Sequence, residues 1–296
     1  MLLRSRFAIA CGAWLALSWG LTSFAAEAKP DQVEKMEKAL PESAPAKPKE
    51  PRKILVYTHA SGFVHSSIAL GAKTFEKLGE KTGAWKVTKV SDDPAVFDDL
   101  KDYDAIVLES TTGDFLVVQG NDKGKESKEK EPARRQALLD FVHNGKGLVG
   151  IHAATDAYYD WPAYGELIGG AFKEHPYHNI VIKVDDPKSP INAQFNGEEF
   201  KFSDEIYVFR PVPYSRAHDH VLLSVDVEKS KIEKQAREDK DYAVAWIREA
   251  GKGRVFYTLL GHSEETYWNP IFLKFVLAGT QYALGDLKAD ASTSGK

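Results

Sequence analysis

The sequence predicts an α/β fold on a mostly parallel central sheet, with extra, partly antiparallel strands in its C-terminal half. Three observations support this. Apolar runs at residues 54–58, 105–108 and 147–151 do not alternate, as expected of strands buried on both faces. Stretches with helical spacing, 66–83 and 132–144, follow the first and precede the third, so the order implies βαβ units with right-handed crossovers. From residue 178 onward, strand-like segments (178–184, 205–209, 221–225, 242–248 and 253–259) follow one another over short links, which suits antiparallel additions.

The remaining elements follow in order. Gly83 suits the stop of the first helix, and residues 85–90 alternate as a second strand. Asn144-Gly145 closes the next helix, and residues 269–283 form a last amphipathic one. Between 122 and 131 eight of ten residues are charged with mixed sign, which reads as a solvated surface loop. Gly124-Lys125 lacks the spacing of a phosphate-binding loop.

Composition narrows the function classes. The chain has 296 residues, 43% hydrophobic and 28% charged, enough for a sizeable core and not the profile of a disordered protein. A formal net charge of −4 argues against non-specific nucleic-acid binding. Cys11 is the only cysteine, so a disulfide framework and any multi-cysteine metal site are excluded. Arg4 and Arg6 precede an apolar run over 7–21, and small residues flank position 25, the pattern of a secretory signal peptide over 1–25. Cleavage there would leave 271 residues without a thiol, and the expectation is an exported protein, periplasmic or secreted, with no membrane anchor. Residues 26–52, rich in Ala, Pro, Lys and Glu, read as a disordered linker, 53–285 as the domain and 286–296 as a flexible tail.

In an open parallel sheet, ligands gather beyond the C-terminal strand ends. The predicted strands end at His59 through His65, at Glu109-Ser110-Thr111-Thr112, at His152 through Asp156, and at Gly261-His262. If they run parallel, four of nine histidines meet at one edge. His65, His152 and His262, with Asp156 or with Asp204-Glu205, would make a pocket of nitrogen and oxygen ligands. Such a set binds a borderline divalent cation, with those three histidines as ligands, or performs acid–base chemistry without one. Asp204 and Glu205 are adjacent on a strand and point to opposite faces, so one of them enters the pocket. His65, His152, Asp156, Asp204 and His262 are therefore the candidate catalytic groups. Tyr158 and Trp161 beside Asp160 suit the stacking of a sugar ring, and His59, His175, Glu205 and Tyr207 complete the candidate binding residues.

At these residues the chain resembles the trehalose-utilisation (ThuA-like) family. The resemblance rests on Gly62-Phe63-Val64-His65, the run from Gly147 to Asp156, Tyr159-Asp160-Trp161-Pro162, Gly169-Gly170 with Phe172, His175-Pro176, Asp204-Glu205 with Tyr207, and the run from Gly251 to His262. It implies a flavodoxin-like, three-layer domain related to class I glutamine amidotransferases. In those enzymes a cysteine occupies a turn after a strand. His152 stands at what resembles that turn, so thiol amidotransferase chemistry is excluded. The chain departs from the family pattern at Ala243, where proline is expected, and in the charged insertion 120–131. The resemblance further implies a role in sugar metabolism, in the setting of trehalose-like disaccharides and 3-keto-glucosides. Two functions fit: a carbohydrate-active enzyme using histidine and carboxylate acid–base chemistry, with or without metal, or a non-catalytic sugar-binding module beside a sugar dehydrogenase. A signalling or scaffold role has no supporting feature beyond the charged stretch.

Overall fold

A computed structural model describes residues 27–120, 122–233 and 236–295. The expected signal peptide lies outside the described residues. Strands β1 (Lys53–Tyr57), β2 (Val87–Ser91), β3 (Ala105–Glu109), β4 (Gly147–Ile151), β5 (Phe172–Val184), β6 (Phe200–Phe209), β7 (His220–Val225), β8 (Ala243–Ala250) and β9 (Gly253–Thr258) form one sheet. Their order is β2-β1-β3-β4-β9-β8-β7-β5-β6. The first five in that order run parallel, and β8, β7, β5 and β6 continue it antiparallel. The expected α/β class with a parallel half and antiparallel additions is what the chain adopts.

Among the described residues, five helices accompany the sheet: α1 (Pro30–Ala39), α2 (Ile68–Thr82), α3 (Asp122–His143), α4 (Pro162–Ile168) and α5 (Pro270–Ala283). The glycines of β4 show that both sheet faces are covered closely. A Cβ at Gly147 would lie 2.6 Å from the Ala283 oxygen of α5, and one at Gly150 would lie 2.9 Å from Ile168 of α4. Every residue of β3 and β4 is buried, as their unbroken apolar runs require. Among the described residues, no helix is long and apolar enough to cross a membrane.

The structure departs from the sequence reading in the described residues on either side of 53–285 and at the charged stretch. The expected linker is ordered. Pro30 begins α1, where its missing N–H costs nothing, and Met36 is fully buried against the core. Further on, the Gln281 side chain bonds both the N–H and the carbonyl of Ala46, at 2.9 and 2.7 Å. Arg52 forms a buried ion pair with Asp286 at 2.7 Å. The expected flexible tail packs too: the Ser294 N–H donates to Asp219 O and the Val221 N–H to Ser294 Oγ. The charged stretch is the first half of α3 and not a loop. Its charges pair along the helix and onto a neighbour, Lys130 with Glu126 at 3.0 Å and with Asp98 at 3.5 Å. Ser127 is buried and accepts the Val118 N–H.

A further difference shapes the site. β5 begins at Phe172 and β6 at Phe200, several residues before the predicted strands. The pair is hydrogen-bonded from Phe172 to Ile182, with register irregularities between Phe172 and Asn179. β5 meets β7 only across Ile182–Val184. The remainder of the hairpin is thus free of β7 and arches over the sheet, where Phe209 packs on Trp246 and Tyr257 with ring centroids 5.0 and 5.8 Å apart.

Candidate functional site

Because β1, β4 and β9 run parallel, their following loops leave the same edge of the sheet. His65, His152 and His262 meet there, each ring nearly perpendicular to the others. Centroids lie 4.8 Å apart for His65 and His152, and 5.1 Å apart for the other two pairs. Glu205 joins them from the arching β6. One nitrogen or oxygen from each of the four side chains lies within 4.8 Å of the rest, and no other such set of three occurs among the described residues.

His152 is the best-defined member. It is fully buried, and its φ of +46° places it in the left-handed region at the turn after β4. Few non-glycine residues adopt that conformation, and here two bonds hold it: the His152 carbonyl accepts the Tyr257 hydroxyl at 2.6 Å, and Nδ1 meets Leu259 O at 2.7 Å. A carbonyl only accepts, so Nδ1 carries a hydrogen, and the other ring nitrogen, Nε2, faces the cluster. Nε2 lies 3.3 Å from His262 Nδ1 and 3.4 Å from Glu205 Oε2, and His262 Nδ1 lies 3.2 Å from the same Oε2. The other Glu205 oxygen, Oε1, lies 3.1 Å from His175 Nδ1. His175 is half exposed and forms the solvent side of the cluster.

Electrostatics follows from this packing. Burial opposes ionisation of Glu205, but the hydrogen bonds to His152 and His262 outweigh it and hold the carboxyl below its ordinary value. His262 is raised by its bond to Glu205. Burial, reinforced by the neighbouring histidines, pushes His65 down to about 3. The buried Nδ1 of His65 has no hydrogen-bond partner.

The other sequence candidates fall into different roles. Asp204 does not enter the cluster. Its carboxylate accepts the N–H groups of Gly261 and Ser263 at 2.8 and 2.9 Å and the Thr266 hydroxyl at 3.0 Å, so it pins the loop that carries His262. Of the two adjacent acids, Glu205 is the one that reaches the histidines. His59 instead bonds Val117 O at 3.0 Å. Tyr158 is buried, its hydroxyl accepting the Leu116 N–H and the Arg135 guanidinium lying 4.4 Å above its ring. Trp161 stacks on Tyr164. Tyr158 is thus a packed aromatic, and Trp161 is partly buried against Tyr164. Tyr207 is buried with its ring 4.5 Å from that of His152, a wall behind the cluster. Asp156 is half-buried, bonded by the Tyr159 hydroxyl, and raised by that burial.

Sequence reasoning passed over Glu109. It is fully buried at the end of β3, pushed up to about 8 by desolvation, and accepts the Tyr267 hydroxyl. Its Oε2 has no partner. The available signal was a carboxylate closing an otherwise apolar strand, Ala105-Ile106-Val107-Leu108-Glu109.

The geometry suits a divalent cation. Bonds of about 2.1 Å in a tetrahedral site separate the ligand atoms by about 3.4 Å, and the triangle formed by His152, His262 and Glu205 has edges of 3.2 to 3.4 Å. His65 supplies a fourth donor within reach. An imidazole whose second nitrogen is held by a carbonyl, as in His152, is oriented as a metal ligand needs to be.

Comparison with known proteins places the chain. A search of curated proteins returns no match. Among solved structures, a ThuA-like protein of Bacteroides uniformis is 22% identical, with 78% of this chain and 94% of that one aligned at a TM-score of 0.57. A ThuA-like protein of Parabacteroides merdae is 18% identical, with 81% and 93% aligned at a TM-score of 0.55. A glutamine amidotransferase of Thermotoga maritima aligns at 11% identity over 71% of this chain and 75% of its own, with a TM-score of 0.41. The family model described as ThuA, trehalose utilisation, matches residues 53–283, and the chain belongs to that family.

Proposed function

We propose that the chain is a carbohydrate-active enzyme that holds a divalent cation between His65, His152, Glu205 and His262 and acts on a disaccharide or keto-glucoside. The observation that carries the metal centre is the 3.2 to 3.4 Å triangle of donor atoms, with the His152 tautomer set by Leu259 O. The sugar substrate is supported by the family's description alone. A borderline cation such as zinc fits three imidazoles and one carboxylate better than magnesium or calcium does.

A bound cation supplies Lewis acidity toward a carbonyl or hydroxyl oxygen. The residues of the chain do the rest. The four ligands are committed, so proton transfer falls to groups around them. His175 is oriented by Glu205 and open to solvent, and Asp156 lies beside the cluster under Tyr159. On a 3-keto-glucoside, His175 would take the proton from the carbon next to the ketone. That C–H pair forms the new C=C bond, the glycosidic C–O bond breaks, and Asp156 in its acid form protonates the departing oxygen. Export belongs to the same proposal and rests on the leader pattern of the first 25 residues.

Elemental analysis of the full chain, made without a histidine tag, tests the metal centre. Roughly one equivalent of divalent cation is expected, falling by on the order of 10²-fold or more in affinity in His152→Ala. No cation after incubation with zinc and manganese would overturn the centre and leave the His262–Glu205 pair as the acid–base device. Saturable sugar binding without product under any metal would replace the enzyme by a binding module.

A further inference from the structure

We infer that Phe63 and Tyr159 are the two walls of a carbohydrate platform above the histidine cluster, taking one ring of a disaccharide between them. The inference rests on the reading of the cluster as a sugar site and identifies its binding surface. Among the described residues, only two Phe, Tyr or Trp side chains are exposed, Phe63 at 65% and Tyr159 at 47%; Phe63 borders the cluster at His65, and Tyr159 stands on Asp156 beside it. The Phe63 ring meets that of His65 edge-on, with centroids 4.8 Å apart. The Tyr159 hydroxyl bonds Asp156, and the Arg210 guanidinium lies 4.3 Å above its ring.

Neither ring is exposed for want of order. The Phe63 carbonyl accepts the Thr112 hydroxyl at 2.9 Å, and the Ser61 N–H donates to Thr112 O at 3.0 Å. The Gly113 N–H donates to Asp156 O at 2.9 Å, so one short path of backbone joins the two walls. Tyr158, with φ of +47°, turns inward and leaves its neighbour Tyr159 facing out. Two exposed rings beside imidazoles and carboxylates, with Asp156 and Arg210 against Tyr159, match a sugar. Its C–H face stacks on an aromatic ring while its hydroxyls find charged acceptors and donors. Val64, 67% exposed, extends the Phe63 wall.

The experiment is calorimetric titration of trehalose into the full chain as isolated, into Phe63→Ala, Tyr159→Ala and Phe63→Trp, and into Val212→Ala as an exposed apolar control. Metal content and melting temperature are read on each sample. The expected result is saturable binding, weakened about tenfold in either alanine variant and kept within about twofold in Phe63→Trp and Val212→Ala. Absence of saturable binding in the parent chain overturns the platform, as does a dissociation constant unchanged in both alanine variants. Metal content separates the two readings: a platform that fails beside an intact cation leaves the centre standing. Sugar binding that follows the rings in a metal-free protein supports the platform and removes the centre.

Discussion

The two halves of the sheet reach the cluster by different routes. On the parallel side, β1, β4 and β9 end at one edge, so the loops after them converge, and three histidines arrive together. On the antiparallel side no strand end is involved. Glu205 and His175 project from within the strands of the β5–β6 hairpin, whose freedom from β7 beyond Ile182 lets it arch across. The parallel half therefore provides a fixed floor through topology alone. The antiparallel half provides the charge and the contact with solvent through the curvature of one hairpin.

The sharpest way to break this comparison is to change the two neighbouring acids of β6 separately. Glu205→Gln should weaken cation binding by on the order of 10²-fold or more, and it should also cost stability at neutral pH, because the fold holds this carboxyl below its ordinary value. Asp204→Asn leaves all four ligands in place but loosens the His262 loop. It should cost about 1–3 kcal/mol of stability and a smaller loss of metal affinity, about 10-fold. Metal titration together with urea unfolding reads both. If the two variants behave alike, the division between a donor and a pin is wrong.

Glu109 probes the parallel side in a different way. Its folded value of about 8 lies above the ordinary carboxyl value of 4.5, so the folded chain keeps a proton that the unfolded chain releases. Its effect on stability is therefore absent below about pH 4.5, grows more unfavourable as pH rises toward 8, and is level above that. Glu109→Gln should match the parent near pH 4.5 and exceed it by ~5 kcal/mol at pH 9. Denaturant melts at the two pH values decide; an equal difference at both would show that Glu109 is ionised in the fold. The smallest effect is expected at His59, which bonds only Val117 O in the fold. His59→Ala should lower stability by about 1 kcal/mol and leave metal content unchanged.

These contrasts also explain what the sequence made legible. Short unbroken apolar runs rich in Ile and Val suit strands buried on both faces, so β1, β3 and β4 and the histidines after β1 and β4 were readable. The start of β5 was not, because residues 172–178 alternate half-buried and exposed positions and carry Lys, Glu, His and Pro, a loop-like composition. Alternation along a strand says that only one of Asp204 and Glu205 enters the site; the arch decides which. Residues 30–39 and 122–131 share Lys, Glu and Ala or Ser, residues that are equally at home in solvent and on a helix surface. What settled them was packing, Met36 in one case and Ser127 in the other.

The clasp between residues 46–52 and 281–286 has a bearing on how pieces of this chain behave. Gln281 is joined to Ala46 and Asp286 to Arg52 across 235 and 234 residues of sequence. A fragment cut to the family boundaries, 53–283, would lack Ala46, Arg52 and Asp286, losing one side of the first bond and both sides of the second. It would also bare the apolar surface that Met36 and Leu40 cover. Such a fragment is expected to be less soluble and more readily digested than the longer chain. In the whole protein, contacts of that span demand that both termini be present before they close, which makes the clasp a late event in folding.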